Sequence, residues 1–335
     1  MLTLRSGGCA PHAAARWRDR FDFEWMREAV ELFATGQASA ALALLDERGR
    51  LKLADERAQA CDELISAWSR DKAPLPRKAI IAATRADAAE LNAMARQTLV
   101  DAGALHDELG VDVEIRRRDG SSDIRRFAPE DRIAFLANDR ALGVANGVSG
   151  TVERIELLAD GPALVVNLDE PNPNGDRMVR VPASFAMLDW AYATTNHRAQ
   201  GRTFDTAHVL ANPLMCDREW AYVAASRSRF ATTIYADAAG LAPSAPDLHA
   251  QSARAEPTRT ELVEALASRM RRSRAKGTSL DFDLHGPEAV ADISSKPAPR
   301  PDAKLISAAR FGVEKDRRAI RGCAALPRRK TRPGP

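Results

Sequence analysis

The run Ala79-Ile80-Ile81-Ala82-Ala83, followed at once by Thr84-Arg85 and a helical stretch from Ala86 to about Val100, decides the fold class. An unbroken apolar run this short reads as a strand buried on both faces, as in a parallel sheet. The polar pair after it turns the chain, and Thr84 or Asp87 can cap the helix that follows. Strand, turn and helix make half of a βαβ unit, so the class is α/β. The same texture returns downstream, with a helix after Thr194, a strand at Ala207–Leu210, a helix near Trp220–Ser226 and a strand at Thr232–Tyr235. Upstream, Arg16 to Ala43 has helical periodicity through Phe21, Trp25, Val30 and Phe33, with Gly36 as a break. A further helix, from Ala54 to Ser69, is expected to set Ala58, Cys61, Ile65 and Trp68 on one face.

Between Val111 and Met187 the period changes to two. Short strands are expected at Val111–Arg116, Ile124–Phe127, Arg132–Leu136, Ser149–Leu157, Ala163–Leu168 and Met178–Val181. Turn signals Asp119-Gly120, Asn146-Gly147 and Asn174-Gly175 separate several of them. This reads as a small β-barrel, residues 108–187, inserted into an α/β domain made of residues 16–107 and 188–237. Residues 238–283 read as a linker and one helix, Glu261–Ala275. Residues 284–335, rich in Pro, Arg and Lys, read as a disordered basic tail.

The 335 residues are 45% hydrophobic and 28% charged, a globular composition with room for two domains. No apolar run approaches the ~18 residues of a membrane span. Met1 to His12 carries no secretory pattern, and Cys9, Cys61, Cys216 and Cys323 form no CxxC pair. A reducing cytoplasm is expected, with neither a zinc site nor a disulfide scaffold. The net charge of +3 is misleading, because residues 296–335 hold twelve Lys and Arg against three acids. The body before them is net acidic, so nucleic-acid binding there must rest on local arrangement.

Two stretches concentrate chemistry: Ala191-Tyr192-Ala193-Thr194-Thr195-Asn196-His197-Arg198-Ala199-Gln200-Gly201 and Ala221-Tyr222-Val223-Ala224-Ala225-Ser226-Arg227-Ser228-Arg229. Both set hydroxyls and cations where an α/β sheet places ligand groups, at strand ends and helix starts. A lone His at a helix start is ordinarily structural, and arginines at a helix end are ordinarily solvated. Arg16, Arg18 and Arg20, interleaved with Phe21, Phe23 and Trp25, have a texture that can stack on single strands, although an amphipathic helix explains it more simply.

Together these stretches resemble motifs V and VI of superfamily 1 helicases of the RecD-like branch, and in particular the helicase half of TraA-type conjugative relaxases. The barrel segments Asp131–Asn138 and Leu142–Gly150, and the helix Leu266–Lys276 with Leu280–Phe282, share in the likeness, which spans about residues 16 to 283. The resemblance implies a RecA-like second motor domain interrupted by a small SH3-like barrel. It implies that Arg227 is the arginine finger and that Gln200 and Gly201 couple the nucleotide site to the strand. Arg20 and Arg229 would contact nucleotide, and Thr195, His197 and Arg198 would meet the DNA backbone. No metal ligand is implied in this segment. The family usually has Lys at the position of Arg198, an aliphatic residue at Asn196 and Gln at Phe21.

A motor of this family needs GxxxxGK[ST] to cradle phosphate and magnesium, yet no Gly-Lys pair occurs in the sequence. Val165–Glu170 imitates a magnesium-holding strand but falls inside the barrel region and reads as a strand end and turn. Leu44–Glu47 reads as a helix end. The expectation is a C-terminal motor half separated from its parent by truncation or gene decay and inactive alone. ATP and Mg2+ would serve the intact parent and not this chain by itself. Single-stranded DNA is the expected partner, with the missing motor and relaxase part as a separate chain in a split-motor alternative. A nucleotide-independent strand-binding module is the other alternative.

Overall fold

The computed structural model describes residues 23–117, 120–242 and 257–274, all within one compact unit. The chain begins with α1 (Glu24–Ala34) and α2 (Ala38–Glu47), separated where Gly36 adopts φ +80. That left-handed conformation favours glycine and ends α1. Met26, Ala29, Val30 and Phe33 recur at helical spacing and bury one face of α1. Strand β1 (Leu51–Ala54) leads to α3 (Arg57–Arg70), β2 (Lys78–Ala82) and α4 (Arg85–Asp101). Thr84 caps α4, its side chain accepting from the Asp87 amide at 3.0 Å. On α3 the buried residues are Ala60, Cys61, Leu64, Ile65 and Trp68, whereas Ala58 faces solvent.

After an excursion into the insert, the chain returns through β10 (Ala193–Thr195), α5 (Asn196–Ala199), β11 (Phe204–Leu210), α6 (Arg218–Ala225) and β12 (Ser228–Asp237). The short α7 (Ala238–Leu241) follows, and α8 (Arg259–Arg271) begins with a Thr258–Glu261 capping box. The five strands form a parallel sheet in the order β1-β12-β11-β2-β10. Alternate residues of β2 serve opposite layers. Ala79 and Ile81 join the core under α1, α2, α6 and α8, while Ile80 and Ala82 join the core under α3 and α4. Burial on both faces explains why β2 has no polar alternation.

One polar pin crosses the second layer. Lys78 Nζ donates to the carbonyls of Trp68 and Asp71 at the end of α3, at 2.9 and 2.8 Å. Asp71 accepts from Thr206 Oγ1 and lies 3.2 Å from His208 Nε2. Burial alone would raise the Asp71 carboxyl, but hydrogen bonds from His208, Thr206 and the Ala73 amide outweigh it and hold the pKa well below the ordinary value.

The insert comprises a hairpin of β3 (Val111–Arg116) and β4 (Ser122–Phe127) and a five-stranded antiparallel sheet. Its sheet uses β5 (Arg132–Phe135), β6 (Ser149–Leu158), β7 (Gly161–Leu168), β8 (Met178–Pro182) and β9 (Leu188–Trp190), in the order β8-β7-β6-β5-β9. Hairpin and sheet share a core of residues including Val113, Phe127, Phe135, Val152 and Val166. Strand β9 continues this sheet beyond residue 187. Asp169 follows the end of β7, and Leu44–Glu47 ends α2.

Entry to and exit from the insert are pinned to α4. Arg96 donates Nε to Asp131 Oδ1 and Nη2 to Oδ2, both at 3.0 Å, and Asp131 is fully buried. Tyr192 OH and the Ala128 amide also donate to that carboxylate, at 2.6 and 2.8 Å. Burial opposes the Arg96 charge, but its hydrogen bonds to Asp131 and Asp107 outweigh this and raise the pKa. Asn92 Oδ1 accepts from the Tyr192 and Ala193 amides, each at 2.8 Å, fixing the start of β10 beside β2.

Candidate nucleic-acid interface

Because β2 and β10 run parallel, with Thr195 opposite Ala82, their C-terminal ends deliver Thr195–Arg198 and Thr84–Arg85 to one edge of the sheet. Thr195–Arg198, Ala83 and Arg85, together with α6 and Asn146 of the insert, line a cavity of about 640 Å³. A second cavity of about 780 Å³ lies between the insert loops 138–149 and 169–174. Asn146, Arg198 and Gln200 line both, so the two form a continuous groove from the insert to α6. His197, Arg198 and Gln200 are exposed along it and Thr195 is half-buried, which suits donors that meet a polyanion.

Asn196 is turned away from solvent, its Nδ2 donating to the Trp220 carbonyl at 2.9 Å. This bond anchors α5 to α6. Gly201 turns the chain at φ +87 between α5 and β11, a conformation that any side chain would strain. Gln200 and Gly201 are thus together on the exposed loop between α5 and β11, which borders the groove through Gln200.

Arg227 is placed differently from its neighbours. Only 7% exposed, it donates Nε to the Val223 carbonyl at 2.9 Å and Nη2 to Ser226 Oγ at 2.7 Å. Its Nη1 lies 3.5 and 3.4 Å from the carbonyls of Ala199 and Arg202. The guanidinium therefore ties the end of α6 to the loop carrying Gln200 and Gly201. Arg229 is half-buried, with its guanidinium 5.5 Å from the Phe230 ring centroid. Arg20 lies outside the described residues, as do Arg16, Arg18, Phe21 and residues 284–335.

The turn from β2 into α4 is Ala83-Thr84, without glycine or the lysine that phosphate cradling requires. Among the described residues no group of three or more His, Cys, Asp or Glu could hold a metal ion, and no helix is long and apolar enough to cross a membrane. Sequence reading missed Arg85, Asn146 and Arg202 as groove residues. The adjacency of Arg202 to Gln200-Gly201 was the available signal.

No family model matches the chain. Over 222 residues, 66% of its length, it is 36% identical to "Probable conjugal transfer protein TraA" of Sinorhizobium fredii (strain NBRC 101917 / NGR234), of which it covers 19%. Over 219 residues, 65% of its length, it is 36% identical to "Conjugal transfer protein TraA" of Agrobacterium fabrum (strain C58 / ATCC 33970), covering 18%. The chain thus spans about a fifth of the length of these curated relatives. Similar solved structures include Bacteroides Pif1 bound to single-stranded DNA, at 19% identity and a TM-score of 0.43, over 67% of this chain and 52% of that one. Another is Pif1 helicase from Bacteroides in complex with ADP-AlF3 and single-stranded DNA, at 20% identity and a TM-score of 0.41, over 65% and 50%. Across about two thirds of its length, the chain is homologous to TraA conjugal transfer proteins.

Proposed function

We propose that this chain grips single-stranded DNA as the second motor domain of a conjugal-transfer helicase. The observation that carries this reading is the continuous groove in which Thr195, His197 and Arg198, at the ends of parallel strands, face the insert. Exposed Arg85 and Arg198 offer phosphodiester contacts there beside the carboxylates of Asp139, Asp169, Glu170, Asp217 and Glu219, so binding rests on individual cations, and the homologues bear the name of conjugal transfer proteins. The insert is read as an SH3-like barrel that forms the far wall of the groove. Arg227 is assigned the arginine-finger role, and Arg229 a nucleotide contact, on the resemblance alone; in this structure the Arg227 guanidinium is turned onto the Val223, Ala199 and Arg202 carbonyls. ATP and Mg2+ belong to a complementary half, so the chain alone is expected not to hydrolyse ATP.

The test is fluorescence anisotropy of a labelled oligothymidylate with the full chain, beside an ATPase assay. Arg198→Ala should weaken binding by about tenfold, ~1.4 kcal/mol, and reduce the salt dependence by about one phosphate contact. Arg227→Ala should leave DNA affinity within about twofold, ~0.4 kcal/mol. Binding insensitive to Arg198 would remove the groove from the reading. DNA-stimulated ATP turnover by the chain alone would overturn its dependence on another half.

A further inference from the structure

Asp169, just past β7, receives two arginines on unequal terms. Arg132, the first residue of β5, grips it as a fork, Nη1 to Oδ1 at 2.7 Å and Nη2 to Oδ2 at 2.6 Å. The Arg132 side chain is only 3% exposed and also donates to Thr151 Oγ1 at 2.9 Å. Arg202 comes from the other side of the junction, from the loop after α5. It reaches Asp169 Oδ2 with one nitrogen at 3.1 Å and Ser149 Oγ with the other at 3.0 Å. Its side chain is 31% exposed, and its guanidinium stands 5.1 Å from the Phe204 ring centroid.

Two cations therefore share one carboxylate, and a bidentate fork is the stronger and more specific of the two pairings. Arg202 and Asp169 line the groove cavity of about 780 Å³ and also a neighbouring cavity of about 580 Å³. Burial lowers the Arg202 pKa; Asp169 offsets part of this, while the nearby Arg132 charge adds to it. An incoming anion would thus relieve Arg202 without stripping Asp169 of its partner.

We propose that Arg202 is an exchangeable phosphate ligand of the groove, passing from Asp169 to a phosphodiester of the bound strand while Arg132 keeps the carboxylate. The inference rests on the strand-binding reading above and adds a residue and a switch to it. The loop that Arg202 leaves tethered or free carries Gln200 and Gly201, and its carbonyls accept from Arg227. Exchange at one side chain thereby releases that loop from the insert when a strand enters. Phosphate on a strand, inorganic phosphate and the phosphates of ATP share the chemistry that Arg202 recognises. The continuity of the groove with Arg198 favours the strand.

The experiment is a salt series of oligothymidylate anisotropy on the full chain, with inorganic phosphate and ATP as competitors. Arg202→Gln should weaken binding several-fold and flatten the log–log salt slope by about 0.7, the value for one phosphate contact on a single strand. Asp169→Asn should tighten binding several-fold, and the double variant with Arg202→Gln should lose that gain. A merely structural Arg202 gives the opposite sign, because loosening the junction then weakens binding. Asp169→Asn also removes an ion partner from buried Arg132 and can fail to fold. Ser149→Ala, which frees only the second nitrogen of Arg202, should then give a smaller gain of the same sign. An unchanged slope in Arg202→Gln, with Arg198→Ala still weakening binding, overturns this inference and leaves the strand-binding reading standing. Failure of the unaltered chain to bind DNA overturns both. Arg202-dependent binding of ATP or inorganic phosphate that is tighter than strand binding overturns the strand as the exchanging ligand.

Discussion

The parallel sheet and the inserted antiparallel sheet solve the same burial problem in opposite ways. Every residue of β2 is buried, and β12 is buried along most of its ten residues, because helices cover both faces. Strand β3, by contrast, alternates buried Val113 and Ile115 with exposed Asp112, Glu114 and Arg116. One region has two apolar cores, and the other has a single core with a wet outer face. Besides apolar contact through Ala128 and Trp190, two ion pairs cross between them. Asp131 with Arg96 is a buried pin, and Asp169 with Arg202 is a half-exposed one. The first is closed to solvent, whereas the second is open to it, which is the difference that the proposed exchange of Arg202 uses.

The sharpest way to break this comparison is to remove the buried pin. Asp131→Ala leaves Arg96 buried without its main counter-charge, and about 3–5 kcal/mol of stability should be lost in a urea titration. A loss below about 1 kcal/mol would mean that the two regions are held by apolar contact instead. In the body, Ile81→Ala should cost about 2–5 kcal/mol, because that side chain is wholly buried with little room to collapse. Thr84→Ala removes the α4 cap and should cost about 1 kcal/mol. On the wet side of the insert, Leu157, 80% exposed, should accept Lys with a change within about 0.5 kcal/mol.

Acid offers a finer probe of the body alone. Asp71 has a folded pKa below its ordinary value of about 3.9, so its contribution is present above that value and is lost as the pH falls through the folded pKa. Stability of the unaltered chain should therefore decline below about pH 4 more steeply than that of Asp71→Asn. Parallel curves would show that the Thr206 and His208 contacts do not favour the charged carboxylate.

Much of this architecture was legible in local pattern. The six strands read in the insert all occur, because alternation identifies a half-buried strand and Asn146-Gly147 and Asn174-Gly175 supply the positive φ that glycine permits. The helices flanking Gly36 and the strand–turn–helix at residues 78–101 occur for comparable local reasons. Strands β1 and β9 have no signal in the local pattern. Each has no more than four residues, and each exists because a neighbour, β12 or β5, offers an edge to pair with. The stretch Thr195–Arg198 was visible as chemistry, and the structure brings it to the groove with Gln200.

What the sequence determined by itself was the type and order of most elements, since periodicity, caps and turn residues act over a few positions and do not depend on distant partners. It also determined that no Gly-Lys phosphate loop lies within these residues. Tertiary structure alone decided which charge meets which. Asp169 finds Arg132 and Arg202 across separations of 37 and 33 residues, and Arg227 turns inward onto carbonyls that the chain had left behind at Ala199 and Arg202. Ion pairs and side-chain hydrogen bonds depend on ångström-scale distances between remote segments, and those distances exist only once the parallel sheet and its insert have packed against each other.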